Sequence, residues 1–265
     1  MEIDPRLEQV VGRMVRALRE GLSELRVTEA ELMQGLEFLT DVGKHDEFVL
    51  LSDVLGVSVL VDEITHGEEE GGTATNVLGP FYLPDAPTLP PPFALAGEDE
   101  PGETLIVSGA VTDADTGRSL PGAVLDVWQA GADGRYSTQD PDRGEFRLRG
   151  RIPVGADGRY EFRTVVPPPY EIPKDGPVGA LLRTLGRHAF RPAHLHLKAS
   201  RDGYRALTTM VFVDGDPYLG SDAIGAVKDS LVVRLERHGS EAGMRARGVD
   251  RPFATCRFDL ALRPA

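Results

Sequence analysis

Two imidazoles two residues apart, His194 and His196 in the run Arg191-Pro-Ala-His-Leu-His-Leu-Lys198, are well placed to grip one ion. Alternate residues of a β-strand point to the same face, so both rings project together while Leu195 and Leu197 enter the opposite side. Tyr136 and Tyr170 lie upstream and offer two phenols. Phenolate is a hard oxygen donor. With an ordinary pKa of about 10 it forms at neutral pH only against a strong Lewis acid, which points to ferric iron. Histidine and tyrosine also serve as hydrogen-bonded, half-buried strand residues, so spacing alone leaves both readings open. The remaining tyrosines, Tyr82, Tyr160, Tyr204 and Tyr218, suit strand positions with wet hydroxyls.

The text around these residues is distinctive. From Gly109 to Phe212 the phrases SGAVTDADTGRSLPGAVLDVWQAGADGRYS, LRGRIPVGADGRYEFRTVVPPPYEIPKDGPVG and GRHAFRPAHLHLKASRDGYRALTTMVF follow in order. They resemble the iron-binding half of the intradiol ring-cleaving dioxygenases. Upstream, FVLLSDVLGVSVLVDEI and NVLGPFYLPDAP resemble the same family's helical region and pocket entrance. The resemblance implies one non-haem Fe(III) per subunit, with Tyr136 and His194 equatorial, Tyr170 and His196 axial, and hydroxide fifth. It implies that Tyr170 doubles as the base for a substrate proton. It also implies that Arg191 faces the substrate ring, where a permanent planar cation suits an electron-rich aromatic. From spacing alone, Arg191 reads first as one half of a surface salt bridge, since charged strand residues are usually solvated, and the resemblance reverses that preference.

By the same resemblance the substrate pocket draws on Leu50, Asp53, Val77, Leu78, Gly79, Pro80, Phe81, Ile172, Pro173, Met210 and Ile224. Most are apolar, as a flat aromatic requires. Asp53 stands out, because a carboxylate in an apolar helix must meet a cap, a cation or a substrate hydroxyl. One departure is Thr208-Thr209-Met210, where many catechol-cleaving relatives have glutamine third; a thioether donates nothing, so Arg191 needs another partner or Met210 packs substrate. The LLSD and VLGPFY text resembles the hydroxyquinol-cleaving relatives more closely, which implies hydroxyquinol (benzene-1,2,4-triol) or a substituted catechol as substrate. Unsubstituted catechol is the alternative. The product is then a cis,cis-muconate-type dicarboxylic acid.

These residues need a scaffold. Leu7, Val10, Val11, Met14, Val15, Leu18, Leu22 and Leu25 recur at helical steps. Thr28 with Glu31 predicts a capping box before a second helix through Val42, and a third is expected from Asp46 to about Ile64. His66-Gly-Glu-Glu-Glu-Gly-Gly then reads as a linker. Past Thr104 short β-rich runs alternate with Asp-Gly, Thr-Gly and Pro-Gly turns, the pattern of a β-sandwich. The expected fold is therefore mostly β. It is a transthyretin-like or immunoglobulin-like sandwich at 73–265, preceded by a helical region and linker at 1–72. In the family those helices dimerise and can enclose a phospholipid, so a homodimer with bound lipid is the expected assembly.

The proline-rich stretch from Pro167 to Gly186 reads as an ordered loop carrying Tyr170. The turn Gly-Ala-Asp-Gly-Arg-Tyr occurs twice, ending in Tyr136 and Tyr160; only the second continues as a regular strand, so Tyr160 reads as structural. His45, His66, His188 and His238 read as solvent-facing or locally bonded, and Trp128 as core or pocket wall.

Composition narrows the partners. A formal charge of −13 argues against nucleic acid or an anionic membrane, which need a basic surface. The longest nearly apolar run, Phe48 to Val61, contains Ser52 and Asp53 and is too short for a bilayer. A single cysteine, Cys256, and a start without secretory features lead to the expectation of a cytoplasmic protein. Three other chemistries compete. A non-catalytic transthyretin-like binding module shares the sandwich text. A copper radical site also uses tyrosine and histidine but typically crosslinks a tyrosine to cysteine. An extradiol enzyme holds ferrous iron with two histidines and a carboxylate.

Overall fold

The computed structural model describes residues 4–67, 71–97 and 99–265, so the glutamates of the expected linker, Glu68 to Glu70, lie outside the described residues. The chain divides into two compact units, Met1–Phe48 and Val49–Ala265. In the first, α1 (Pro5–Glu24) starts on Asp4, whose carboxylate accepts from the backbone N–H groups of Arg6 and Leu7 at 2.9 and 3.1 Å. The expected reciprocal box of Thr28 and Glu31 opens α2 (Glu29–Lys44). No residue of α1 is buried. Its stripe of Leu7, Val11, Met14, Val15 and Leu18 is 47–66% exposed, and Leu32, Met33, Leu36 and Leu39 of α2 are exposed too. Contiguous apolar faces of this kind mark contact surfaces.

The single helix expected from Asp46 to about Ile64 is two helices, α3 (Phe48–Val54) and α4 (Val57–His66). Gly56 adopts the left-handed conformation, φ 72°, and breaks the ladder between them. Hydrophobic periodicity runs through that break unchanged, which is why the sequence hides it. No helix among the described residues is long and apolar enough to cross a membrane.

The rest is a β-sandwich. One sheet is built on β1 (Thr104–Asp113), which pairs antiparallel with β4 (Arg159–Val165) and parallel with β11 (Phe253–Arg257) and β12 (Leu260–Leu262); β10 (Glu236–His238) flanks β11. The other has the order β3 (Arg149–Pro153), β2 (Val124–Gln129), β7 (His194–Ser200), β8 (Leu207–Val213) and β9 (Val232–Val233). Leu105, Val107, Leu125, Val127, Tyr160, Phe162, Leu195 and Leu197 fill the space between the sheets. Cys256 belongs to this core, as does Tyr160, whose hydroxyl donates to the Phe258 carbonyl. Strand alternation therefore sends Trp128, His194, His196 and Met210 to the opposite face of the second sheet.

Pro167 to Gly186 holds more regular structure than its prolines suggest. Tyr170–Glu171 forms β5, paired antiparallel with β6 (Phe190–Arg191), and α5 (Pro177–Thr184) follows with Pro177 in its first turn. Proline suits that position because its missing N–H would be unpaired there in any case. The last helix, α6 (Glu241–Arg247), precedes β11.

Candidate metal centre and active site

The four candidate donors meet in one buried cluster. His194 and His196 leave β7 on one side, their Nε2 atoms 3.2 Å apart. Tyr136 Oη lies 3.1 Å from His196 Nε2 and 3.5 Å from Tyr170 Oη. All four residues are at most 5% exposed. The β5–β6 ladder pairs Tyr170 directly with Arg191, so the shortest sheet of the fold sets the second phenol beside the arginine.

Electrostatics prepare these groups as ligands. His194 Nδ1 lies 2.6 Å from the Pro192 carbonyl, an acceptor only, so Nδ1 carries the hydrogen and Nε2 keeps its lone pair. Burial, followed by the Arg191 charge, depresses the His194 pKa to about 3, and burial with the neighbouring His194 holds His196 well below the usual range. Both rings are thus neutral near pH 7. Burial, then Tyr170, drives the Tyr136 phenol well above its ordinary value. A hydroxyl in that position ionises only against a cation on its oxygen. Two neutral imidazole nitrogens and two phenol oxygens facing one point form a hard N2O2 set that fits a ferric ion.

The surroundings fix the donors. Trp128 stacks on His196 at 4.7 Å and 10°, and Phe81 stacks on Tyr136 at 4.5 Å and 20°. Arg191 is 3% exposed; its Nε and Nη2 donate to the two oxygens of Asp222 at 3.1 and 3.2 Å. Its Nη1 is 3.3 Å from His194 Nε2 and its Nη2 3.5 Å from Met210 Sδ. Burial raises the Asp222 carboxyl, but the Arg191 cation outweighs it and the net shift is downward. Asp222 is further held by the backbone N–H groups of Ile224 and Ala226.

The expected pocket residues fall into two groups. Phe81 packs on both phenols, Met210 touches Arg191, Ile224 bonds Asp222, and a Cβ on Gly79 would stand 3.4 Å from His196 Cε1. Asp53 is buried, its pKa raised by desolvation against the pull of the Ser58 hydrogen bond and the Arg191 charge. Leu50 lies one turn before it and is also buried. Val77 is half-buried and clipped through Asn76 to the Ala226 carbonyl, and Ile172 is buried beside the β5–β6 ladder. Leu78, Pro80 and Pro173 are exposed.

Sequence reasoning missed Asp222. It sits 31 residues beyond Arg191 in a loop of Gly, Ser and Asp, where no periodicity marks it. Trp128, which the sequence left as either core or pocket wall, lies opposite His196 in the β2–β7 register and walls the centre.

The family described as Dioxygenase matches residues 77–264, and that described as Catechol dioxygenase N terminus matches 4–73. The chain belongs to the intradiol ring-cleaving dioxygenases. It is 44% identical over 240 residues to hydroxyquinol 1,2-dioxygenase of Rhizobium sp. strain MTP-10005, covering 88% of this chain and 81% of that one. To 6-chlorohydroxyquinol 1,2-dioxygenase of Cupriavidus pinatubonensis it is 45% identical over 232 residues, 86% and 83% of the two chains. The crystal structure of hydroxyquinol 1,2-dioxygenase from Pseudomonas putida DLL-E4 superposes with a TM-score of 0.91 at 41% identity, covering 100% of this chain and 94% of that one. This intradiol dioxygenase opens a catechol-type ring between its hydroxyl-bearing carbons, using both atoms of dioxygen, to give a cis,cis-muconate-type dicarboxylic acid. Enzymes of its family use non-haem ferric iron.

Proposed function

We propose that this intradiol dioxygenase holds one ferric ion per subunit through Tyr136, Tyr170, His194 and His196 and that its substrate is hydroxyquinol. The observation that carries the ligand assignment is the buried chain of contacts from His194 Nε2 to His196 Nε2, from there to Tyr136 Oη and on to Tyr170 Oη, at 3.2, 3.1 and 3.5 Å. A ferric ion there supplies Lewis acidity toward a chelating diol.

The protein's residues supply the rest. Tyr170, on the β5–β6 ladder, would be a phenolate when it ligates the ferric ion and would accept a substrate proton at Oη, leaving as the neutral phenol. Arg191, locked by Asp222, faces the ring and offsets negative charge that grows on the substrate. Leu50, Gly79, Phe81, Ile172, Met210 and Ile224 form the apolar walls that exclude water, with half-buried Val77 and the exposed Leu78, Pro80 and Pro173 at the entrance. Asp53, a buried carboxyl within reach of the Arg191 field, meets the third hydroxyl of hydroxyquinol. A site built to bond that hydroxyl loses this contact when catechol binds, leaving Asp53 with only its Ser58 partner, which disfavours catechol.

The exposed apolar stripes of α1 and α2 support a homodimer, with phospholipid held at the same surface. The acidic, single-cysteine chain supports a cytoplasmic setting. Light scattering and lipid extraction from the purified protein check the assembly. The function is tested by anaerobic titration of the iron-loaded protein with hydroxyquinol and with catechol, followed by 18O2. The expected result is a visible band that shifts with hydroxyquinol at lower concentration, then a product carrying two labelled oxygens. Tighter binding and faster turnover with catechol would reassign the substrate.

A further inference from the structure

Arg149 begins β3, is 2% exposed and makes one side-chain hydrogen bond, from Nε to Ser137 Oγ at 2.7 Å. Its Nη1 and Nη2 are buried without a hydrogen-bond partner among the described residues. Ser137 adjoins Tyr136, and the guanidinium carbon stands 5.8 Å from the Tyr136 ring centroid. The β2–β3 and β2–β7 registers line up Arg149, Trp128 and His196 across three strands on the face of the metal centre. Trp128 Nε1 and His196 Nδ1 on this row are likewise buried and unpartnered.

A buried guanidinium is a permanent charge that needs a countercharge. Arg191 has Asp222. The anionic groups that face Arg149 are Asp126, which accepts from Tyr82 at 3.0 Å, and Tyr136 itself. Neither lies in a salt bridge with it among the described residues.

We propose that Arg149 is a positioning residue for Tyr136: anchored by Ser137, it sets a fixed positive charge against the phenol ring and lowers the energy of the electrons that ring donates to the metal. The inference rests on Tyr136 being a ligand of ferric iron. It makes the two arginines of the site distinct in role, Arg191 acting on the substrate ring and Arg149 on the ligand ring. Removing a charge near the donor raises its electrons toward the metal orbitals, so the tyrosinate-to-iron band moves to longer wavelength.

The experiment compares visible spectra of iron-loaded parent, Arg149→Met, Arg149→Lys and Ser137→Ala proteins, with circular dichroism of each as a folding check. Arg149→Met is expected to shift the band to longer wavelength by on the order of 10 nm, the scale of one charge at this separation in a medium of protein polarity. Arg149→Lys keeps the charge and returns the band toward the parent position. Ser137→Ala, which loosens the anchor, shifts it less and in the same direction as Arg149→Met. A folded Arg149→Met protein with the parent band overturns the proposal; if that variant does not fold, an unshifted Ser137→Ala protein overturns it instead. A parent protein without any such band overturns the ferric-tyrosinate reading itself, and this inference with it.

Discussion

The hexapeptide Gly-Ala-Asp-Gly-Arg-Tyr occurs at 131–136 and again at 155–160, and the two copies fold alike yet deliver their tyrosines to different chemistry. In both, the fourth-residue N–H bonds the first carbonyl, at 2.8 Å for Gly134 and 2.9 Å for Gly158. In both, the aspartate Oδ1 accepts from the arginine N–H, at 3.1 Å for Arg135 and 3.0 Å for Arg159. Gly134 and Gly158 have φ of 74° and 78°. The difference comes after the tyrosine. The strand formers Phe162, Thr164 and Val165 carry Tyr160 along β4 into the inter-sheet core. Ser-Thr-Gln-Asp-Pro instead turns the chain at once, with the Tyr136 N–H bonded to Gln139 Oε1 at 3.0 Å, and the phenol goes to the site face. A turn fixes where a side chain starts; the next five residues decide what it meets.

The largest effect should come from removing what surrounds only Tyr136. His194→Ala or His196→Ala is expected to lower bound iron at least tenfold, since losing a ligand or its support weakens a metal site by about 10–100-fold or more. Metal analysis of the purified variants checks this, and stoichiometric iron in both would undo the distinction between the two tyrosines.

Asp222→Asn should cost roughly 3 kcal/mol, because it leaves Arg191 as a buried charge without its carboxylate. The Asp222 pKa is lowered in the folded protein, so its contribution to stability is present above the unfolded value of about 4 and is lost as pH falls through the folded value. The melting temperature of the variant should therefore depend less on pH in the acid range than that of the parent. Equal acid slopes would show that the pair contributes little.

The glycines of the two turns sharpen the comparison. Gly134→Ala and Gly158→Ala each force a left-handed alanine, at about 1–2 kcal/mol. A Cβ at 158 would also stand 2.6 Å from Ser119 Cβ, whereas one at 134 meets Tyr170 Cβ at 3.3 Å. Gly158→Ala should therefore lose more stability and Gly134→Ala more turnover. Thermal melts set beside steady-state rates separate the two, and the reverse ranking would contradict the placement of Tyr170.

Much of this was legible in the sequence, for identifiable reasons. Strand alternation is a local rule, so the sequence alone places His194 and His196 on one face and Leu195 and Leu197 on the other, where the core lies. The Thr28 and Glu31 cap is equally local. Tyr136 and Tyr170 were not legible from spacing, because their meeting depends on packing between a turn and a two-residue ladder 34 residues apart; only family resemblance singled them out. Asp222 and Arg149 were missed for the same reason, each acting through a partner distant in sequence. The break at Gly56 escaped because the apolar pattern continues across it.

The most direct test is the visible spectrum of the iron-loaded protein with Tyr136→Phe and Tyr160→Phe beside it. The parent should show a tyrosinate-to-iron band, Tyr136→Phe should lose a component of it together with turnover, and Tyr160→Phe should keep both. Tyr160→Phe should lose only about 1–2 kcal/mol of stability for the unpaired Phe258 carbonyl. If Tyr160→Phe changes the band as much as Tyr136→Phe, or if neither changes it, the assignment of Tyr136 to the metal centre is wrong.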